Sequence, residues 1–391
     1  MTLSRRAFGL SSIAAALAAA APAGAGTRTP KLKEMPPRTP FGVSDPEVTT
    51  VAGIPDARFM ADVPEAFAAA LGSGAILSQA PWLAISGGGD NGAFGAGLLA
   101  GWSLAGSRPD FGVVTGISTG ALTAPFVFAG PRWDARLRSA YTEVTAADIF
   151  EFGATRESLL DTWPLARLID REVTAELMAD VATEHRRGRR LFVITTNVDT
   201  GRPVAWNMGA IAASGAPGAE ALFQKVLLAS SSIPGMFPPV YLEVENGAHR
   251  FSEMHVDGGV TMPFFVAPER VIATGSGRPL PTRQVYVIVN TQLAADFMVT
   301  PPMTLGVLGR SLTAAVKAGT RLAIGTHEAF ARRAEIDLRI MSIPEDFRAI
   351  ASGPFDGRYM KALFARGAEL GANGGAFGIQ PSRLASHDRR G

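Results

Sequence analysis

Gly116-Ile117-Ser118-Thr119-Gly120 is the stretch of this 391-residue sequence that decides its fold. It follows an apolar run, residues 113–115, and leads into an Ala-rich helical pattern. A serine with glycines two residues before and two after it is typical of a sharp strand-to-helix turn that exposes a nucleophilic hydroxyl, because Cβ groups would clash there. We therefore predict an α/β fold with Ser118 at the end of a strand. A serine that only caps the helix fits the same pattern.

A second glycine-rich turn, Ser86-Gly87-Gly88-Gly89-Asp90-Asn91-Gly92, lies upstream between another apolar run and another helical pattern. Consecutive glycines leave the backbone amides unobstructed, so these amides can converge on an anion. The anion is either a pyrophosphate, as in dinucleotide-binding loops, or the oxyanion of acyl transfer. The dinucleotide interpretation is weaker, because the next strand leads into Gly116 and offers no Asp or Glu for a ribose.

The third motif, Asp257-Gly258-Gly259, follows a strand pattern much further along the chain. The end of that strand is expected to place the Asp257 carboxylate near the Ser118 hydroxyl, where it can act as general base. An Asp-Gly turn without chemistry gives the same three residues. Together the three motifs supply a nucleophile, oxyanion donors and a base, which are the parts that acyl transfer needs.

A Ser-His-Asp triad would have to use one of five histidines. They are His185, His249, His255, His327 and His387. His185 lies in a charged run and His387 in the tail, so both are expected to be solvated. The order Ser, Asp, His leaves His327 as the best triad candidate, and His255 shares a strand face with Asp257. No histidine is framed by turn residues as Asp257 is, so a Ser-Asp dyad fits better.

Bulk composition limits the class of protein. The sequence is 47% hydrophobic and 18% charged, which is ordinary for a packed globular protein and excludes disorder throughout. Of 37 basic residues, Arg5 and Arg6 are expected to be removed, which leaves 35 against 35 acidic residues and no electrostatic footprint for nucleic acid. The absence of cysteine excludes disulfides and catalytic thiols. No His and carboxylate cluster has metal-ligand spacing, so we expect no metal and no cofactor.

The amino terminus predicts a targeting segment. The pair Arg5-Arg6, an apolar run to Ala21 and the small residues after it are typical of a signal peptide over residues 1–25. The paired arginines indicate the twin-arginine route and a periplasmic or secreted protein, whereas an N-terminal helix or membrane anchor is the alternative. Residues 26–75 are predicted to be an extended leader, 76–371 the main domain and 372–391 a flexible tail.

Short apolar strands alternate with helical patterns from Trp82 onward, which predicts a central, mostly parallel sheet between helices. The predicted strands cover residues 82–86, 112–115, 191–196, 251–256, 285–290 and 336–342. The predicted helices cover residues 93–105, 119–128, 165–182, 219–229, 304–333 and 358–370.

The glycine loop, the Gly116–Gly120 turn, the block Ala229-Ser230-Ser231-Ser232-Ile233-Pro234 and Asp257-Gly258-Gly259 resemble the ordered blocks of the patatin-like phospholipase family. The similarity covers about residues 82–290 and implies a three-layer α/β fold of the patatin type. It implies that Ser118 is the nucleophile and Asp257 its base, and that the amides of Gly87, Gly88 and Gly89 form the oxyanion hole. The supporting glycines are Gly92, Gly116, Gly120, Gly258 and Gly259. Many members carry Arg or Lys where Asn91 stands. The absence of this positive charge bears on any preference for anionic phospholipids.

The resemblance predicts a serine hydrolase that cleaves carboxylic esters of lipids, with a transient membrane-surface contact as a further expectation. Apolar residues flank the motifs at Phe94, Leu98, Ile117, Leu122, Phe126, Ile233, Met236 and Phe237. Leu98 and Leu122 are expected in the core, whereas Met236 and Phe237, in a loop bounded by prolines, are the candidates for the acyl-binding wall. A short-chain esterase or thioesterase on the same fold, and a nucleotide-binding module without hydrolysis, are the alternatives.

Overall fold

A computed structural model describes Arg38 and residues 49–72, 80–153, 157–247, 249–275, 279–294, 299–300 and 302–373. The predicted signal peptide and residues 374–391 of the predicted tail lie outside these ranges. No helix in the described ranges is long and apolar enough to cross a membrane.

The strands are numbered in chain order. They are β1 (Arg58–Met60), β2 (Trp82–Ile85), β3 (Val113–Gly116), β4 (Glu151–Phe152), β5 (Leu160–Asp161), β6 (Arg190–Asn197), β7 (Arg202–Asn207), β8 (Val240–Asn246), β9 (His249–Asp257), β10 (Gln284–Val289) and β11 (Asp337–Ser342).

The helices are numbered in the same way. They are α1 (Pro64–Leu71), α2 (Gly92–Leu104), α3 (Thr119–Ala129), α4 (Asp134–Thr142), α5 (Trp163–Glu172), α6 (Ala175–Arg186), α7 (Met208–Ala213), α8 (Ala219–Ser230), α9 (Glu269–Thr274), α10 (Thr304–Ala334) and α11 (Gly357–Ala372).

The main sheet is mixed. Strands β11, β10, β2, β3 and β6 are parallel in that spatial order, and β7 and β1 continue the sheet antiparallel on the far side of β6. Strand β9 pairs antiparallel with β6 as well, and β8 pairs with β9. The expected parallel arrangement therefore holds for one side of the sheet, whereas the strand predicted at 251–256 runs antiparallel.

Helices cover both faces of the sheet, which confirms the three-layer α/β fold. Successive strand residues point to opposite faces, so Leu83 and Ile85 join one hydrophobic cluster and Trp82 and Ala84 the other. Both clusters are buried, and strands of this kind give continuous apolar runs in the sequence. This explains why the central strands were predicted with nearly their observed bounds.

Three features differ from the sequence prediction. Residues 49–72, expected to be the end of an extended leader, contain β1 and α1, and β1 pairs with β7. The helix predicted over 165–182 is two helices, because the side chain of Thr174 caps the second by accepting a hydrogen bond from the Leu177 amide at 3.3 Å. Strands β4, β5, β7 and β8 and helices α4, α7 and α9 were not predicted.

A buried polar network ties the antiparallel strands together. Arg58 of β1 makes an ion pair with Glu253 of β9, and the two side chains are 1% and 4% exposed. The His255 Nε2–H donates to Glu253 Oε2 at 3.0 Å, while Thr195 Oγ1 lies 2.9 Å from His255 Nδ1 and accepts from the Trp206 indole at 2.8 Å. Burial alone would raise the pKa of Glu253, but His255 and Arg58 outweigh it and lower this pKa to about 2.

We predict that Arg58→Leu lowers the free energy of unfolding by about 3–5 kcal/mol, because it leaves the Glu253 carboxylate buried without its partner. The matched control is Arg250→Leu on the same β9, whose side chain is 78% exposed and pairs with Glu245. It should change the free energy of unfolding by less than about 0.5 kcal/mol. Urea unfolding of both variants checks this, and equal small losses would contradict a structural role for the Arg58 pair.

Candidate active site

Ser118 stands in a strained turn between β3 and α3. Its backbone angles are φ 55° and ψ −125°, a conformation that non-glycine residues rarely adopt and that costs about 1–3 kcal/mol. The flanking glycines are required by close backbone contacts: a Cβ on Gly116 would lie 2.4 Å from the Gly120 carbonyl oxygen, and one on Gly120 would lie 2.3 Å from the Ile85 carbonyl oxygen. The turn therefore lifts Ser118 above the sheet at the amino-terminal end of α3.

The Ser118 hydroxyl does not serve as a helix cap. Ser118 occupies the N-cap position of α3, but its side chain accepts no capping hydrogen bond from the helix. Its side chain instead lies close enough to the Asp257 carboxylate to lower the pKa of that group. The capping alternative left open by the sequence thus does not describe this serine.

Asp257 reaches Ser118 because β6 is longer than β3. Strand β3 pairs with the first half of β6, from Val113 opposite Arg190 to Gly116 opposite Val193. Strand β9 pairs with the second half, with Asp257 opposite Thr195. The end of β9 is therefore two positions beyond the end of β3, at the level of Ser118.

The Asp257 carboxylate is buried and has no cationic partner in the described part of the chain. Burial raises its pKa from 3.8 to about 6, although hydrogen bonds from Ser118 and from the Gly259 amide, the latter 2.7 Å long, oppose the shift. Asp257 thus does form the turn that the sequence allowed as an alternative, and the pKa of its carboxyl group also responds to Ser118. A carboxyl group with this pKa can take and return a proton near neutral pH.

The glycine loop lies beside the serine. A Cβ on Gly87 would come within 3.2 Å of Ser118 Cβ and 3.8 Å of its Oγ. Within the described residues, the amides of Gly87, Gly88 and Gly89 donate to no backbone or side-chain acceptor. Backbone donors that face a reactive hydroxyl and lack a protein partner can bind a developing oxyanion.

Asn290 holds this loop and was not predicted as a site residue. Its amide and side-chain nitrogen donate to Ser86 Oγ and Ser86 O at 2.8 and 3.0 Å, and its Oδ1 accepts from the Gly95 amide at 3.0 Å. A Cβ on Gly88 would lie 2.3 Å from the Asn290 carbonyl oxygen. The signal for Asn290 was its position just after β10, since carboxyl ends of parallel strands meet at one edge of the sheet.

Ser230 holds the backbone amide of Ser118. Its hydroxyl accepts a hydrogen bond from the Ser118 amide at 3.0 Å and donates to the Ile194 carbonyl at 2.7 Å. The next residue, Ser231, has a buried hydroxyl without a partner among the described residues. The sequence placed this serine block near the cleft but could not separate the two roles.

An apolar pocket opens beside Ser118. Gly89, Ser118 and Ser231 form one end, and its other polar lining residues are Thr119, Tyr141 and Glu172. The apolar lining consists of Leu122, Pro125, Phe126, Ala140, Val144, Ile149, Leu165, Leu168, Ile169, Val173, Leu177, Leu227, Ile233, Phe237, Phe355 and Met360. The lining contains no Lys or Arg, so the pocket is suited to an acyl chain and poorly suited to a phosphate.

The two predicted acyl-wall residues lie in different places. Phe237 lines the pocket, whereas Met236 is absent from the lining and packs partly buried against the core. Leu98 is buried in the core as expected, and Leu122 packs partly buried against the core while also lining the pocket. The other supporting glycines make close contacts of their own: a Cβ on Gly92 would meet Thr119 Oγ1 at 1.9 Å, one on Gly258 Ile194 O at 2.4 Å, and one on Gly259 Asp257 Oδ1 at 3.0 Å.

The histidines considered for a triad lie apart from Ser118 and Asp257. His255 binds Thr195 and Glu253 in the buried network, and His327 Nδ1 is 2.7 Å from the Ala323 carbonyl of its own helix. His185, expected to be solvated, is half-buried against Gly209, and burial lowers its pKa to about 4. His249 is exposed, and His387 lies outside the described residues.

Asn91 is hydrogen-bonded to helix α11. Its Oδ1 accepts a hydrogen bond from the Tyr359 hydroxyl at 2.6 Å, and the neighbouring Asp90 accepts from the Phe355 amide at 3.2 Å. These two bonds fasten α11 and the segment before it to the glycine loop. Asn91 therefore has a structural contact in this chain.

The family comparison covers this site. Residues 83–268 match the family model for patatin-like phospholipases, a range that includes the glycine loop, Ser118, Ser230 and Asp257. Among solved structures, a similar chain is VipD from Legionella pneumophila, with 11% sequence identity and a TM-score of 0.33 over 75% of this chain and 67% of that chain. No curated protein matches the sequence.

We predict that Ser230→Ala and Ser231→Ala, which are the same change at adjacent positions, have different effects on stability and on labelling of Ser118. Ser230→Ala leaves the Ser118 amide and the Ile194 carbonyl without their partner, so it should cost about 1–3 kcal/mol and slow fluorophosphonate labelling of Ser118 at least tenfold. Ser231→Ala removes a hydroxyl without a partner and should be neutral or stabilising. Thermal unfolding and labelling rates measure both, and equal effects of the two changes would rule out the positioning role of Ser230.

Proposed function

Residues 83–268 form a domain of the patatin-like phospholipase family, and from that premise we propose that this chain is a serine hydrolase that cleaves carboxylic esters of lipids. The single observation that supports this best is the position of the buried Asp257 carboxylate beside Ser118, which stands in a strained turn and lines an apolar pocket. A nucleophile held by a base in a water-poor cleft is what acyl transfer to serine requires.

In the proposed first step, the Ser118 oxygen attacks the acyl carbonyl while Asp257 takes the hydroxyl proton. The carbonyl oxygen becomes an oxyanion, which the amides of Gly87, Gly88 and Gly89 stabilise. Asp257 then gives its proton to the leaving alcohol oxygen, and the bond between the acyl carbon and that oxygen breaks. The acyl group remains bound to Ser118 as an ester.

In the proposed second step, Asp257 takes a proton from a water molecule and the resulting hydroxide attacks the acyl-enzyme. The proton returns to the Ser118 oxygen as the ester bond breaks, and the fatty acid leaves. The same carboxyl group therefore acts as base in each attack and as acid in each release. The positive end of α3 assists by stabilising negative charge on the Ser118 oxygen.

The nucleotide-binding alternative is less well supported. Backbone amides can bind a phosphate, but the only charged residue in the lining of the pocket beside the glycine loop is Glu172. A carboxylate there would repel a phosphate. The short-chain esterase alternative depends on how much of the pocket the acyl chain fills, which substrate length can test.

Ser118→Ala should lower ester turnover by on the order of 10⁴-fold or more and abolish fluorophosphonate labelling, because it removes the nucleophile. The fold should persist, since the hydroxyl makes no packing contact with the core. Hydrolysis of a chromogenic octanoate ester and mass spectrometry of the labelled protein check this. Near wild-type turnover in a clean preparation would refute the assignment.

The pH dependence of the reaction follows from Asp257. Only its ionised form is a base, so kcat/KM should rise with pH through a midpoint of about 6. The folded-state pKa of Asp257 is raised from 3.8 to about 6, so the folded protein binds this proton more tightly than the unfolded chain does. The resulting contribution to the free energy of unfolding is fully present below pH 3.8 and is lost as pH rises through about 6.

Asp257→Asn is the control for this prediction. It should abolish the pH-dependent turnover and, at pH 8, unfold at a free energy no lower than wild type, because it removes a buried charge. A midpoint near 4, or a variant that is inactive only because it is unfolded, would contradict the proposed role. His255→Gln and His327→Gln should keep the midpoint, since neither side chain contacts Asp257.

Acyl-chain length tests the lipid part of the proposal. A buried chain gains about 0.8 kcal/mol per CH₂, so wild type should prefer octanoate and palmitate over acetate esters of one chromophore by orders of magnitude. Leu122→Trp partly fills the pocket and should lower kcat/KM for palmitate at least tenfold with little change for acetate. Met236→Trp, adjacent to Phe237 but absent from the lining, is the matched control. Equal wild-type kcat/KM values for the three esters would contradict a lipid substrate but not a serine hydrolase.

A further inference from the structure

Helix α10 is much longer than the strand that precedes it. Its 31 residues span about 46 Å, whereas the 6 residues of β10 span about 20 Å. The helix ends where β11 begins, opposite the first residue of β10. More than half of its length therefore has to extend past the sheet in one direction.

Hydrogen bonds fix where the helix passes the edge of the sheet. Lys317 Nζ donates to the Ala294 carbonyl at 3.5 Å and Arg321 Nη1 to the Leu293 carbonyl at 3.2 Å, and both acceptors come just after β10. Strand β10 is parallel to β2, and β2 to β3, so its end lies at the edge where Ser118 stands. The part of α10 before Lys317 thus projects beyond the edge that carries the candidate active site.

The projecting part exposes large apolar side chains. Leu308, Leu312 and Val316 are 62%, 47% and 42% exposed, and Leu322, further along, is 71% exposed. On a helix with 3.6 residues per turn, these four lie within about 120° of one another. Such a face on a monomeric soluble protein marks a surface that contacts something else.

The charged side chains in the projecting part of α10 and just after it are all positive. The charged residues of 306–326 are Arg310, Lys317 and Arg321, and residues 299–327 contain no Asp or Glu. These cations fall within about 40° on the helix, opposite the apolar side chains. A helix with one apolar face, and with cations as the only charges on its opposite face, favours an anionic lipid surface.

Apolar side chains from other elements are exposed at the same edge. Val198 directly follows β6 and is 45% exposed, and Val260, three residues after Asp257, is 55% exposed. Neither residue belongs to α10, so the apolar surface extends beyond one helix. A helix from a second copy packed along α10 would cover only the stripe on that helix.

We infer that the projecting half of α10, with Leu308, Leu312 and Val316 as its anchors, binds an anionic lipid surface and holds the catalytic edge against it. This rests on the proposed function for the choice of a lipid as partner. Docking there brings the edge that carries Ser118 close to the surface, so the expected substrates are lipids that remain in a membrane or micelle. Binding itself does not require turnover.

The test uses the full chain with Ser118→Ala and vesicles of phosphatidylglycerol and phosphatidylcholine in a sedimentation assay. Leu308→Glu with Leu312→Glu should lower the fraction bound at least tenfold. The matched control is Leu104→Glu, because Leu104 is 77% exposed at the end of α2, at the opposite edge of the sheet. Leu104→Glu should bind as the parent does.

Turnover is measured separately with Ser118 intact. The double variant should keep its kcat/KM for a soluble short ester and its thermal unfolding midpoint while losing hydrolysis of vesicle lipids. Unchanged vesicle binding, or equal losses with Leu104→Glu, would overturn the inference. A different result would overturn it as well: wild type that binds no vesicles but forms a dimer in light scattering, together with a double variant that is monomeric. If neither protein hydrolyses any ester but the binding difference holds, only the proposed function fails.

Discussion

The close approach of the α3 amino terminus to the end of β2 is the contact on which the site depends. Only a residue without a Cβ can stand where the Gly120 backbone meets the Ile85 carbonyl. This contact forces the chain to turn at once after β3, and the turn places Ser118 in its strained backbone conformation. The strain is sustained because Ser230 holds the Ser118 amide and the sheet holds Ser230 through Ile194.

Two acidic residues on one face of β9 have pKa values shifted in opposite directions by their surroundings. Glu253 is paired with Arg58 and His255, which lower its pKa, so it stays ionised and joins strands. Asp257 lies four residues further on without a cation, and its pKa is raised. A carboxylate whose charge is compensated stabilises a fold, while one whose charge is left poorly compensated is suited to proton transfer.

The central strands, α2, α3 and the turns at Ser118 and Asp257 could be predicted from the sequence because their signals are local. Burial on both faces gives continuous apolar runs, and close backbone contacts leave glycines. Strand β1 has three residues, and its assignment depends on pairing with β7, more than a hundred residues away. The role of Ser230 and the separation of Phe237 from Met236 likewise depend on which way side chains point after folding. The alternation in β8, with Leu242 and Val244 inward and Glu243 outward, was a signal that could have identified that strand.

The ion pair between Arg58 and Glu253 has a consequence for how the chain is made. The two residues are separated by 195 positions, and a ribosome adds roughly 5–20 residues per second, so Arg58 waits about 10–40 s for its partner to be synthesised. During that interval β1 also lacks β7 for much of the time, and its guanidinium group remains hydrated. The strand that carries the candidate base is among the last to be secured. A nascent chain can therefore pair β2, β3 and β6 early, whereas the candidate active site is completed only after β9, and then β10 with Asn290 behind it, have been translated.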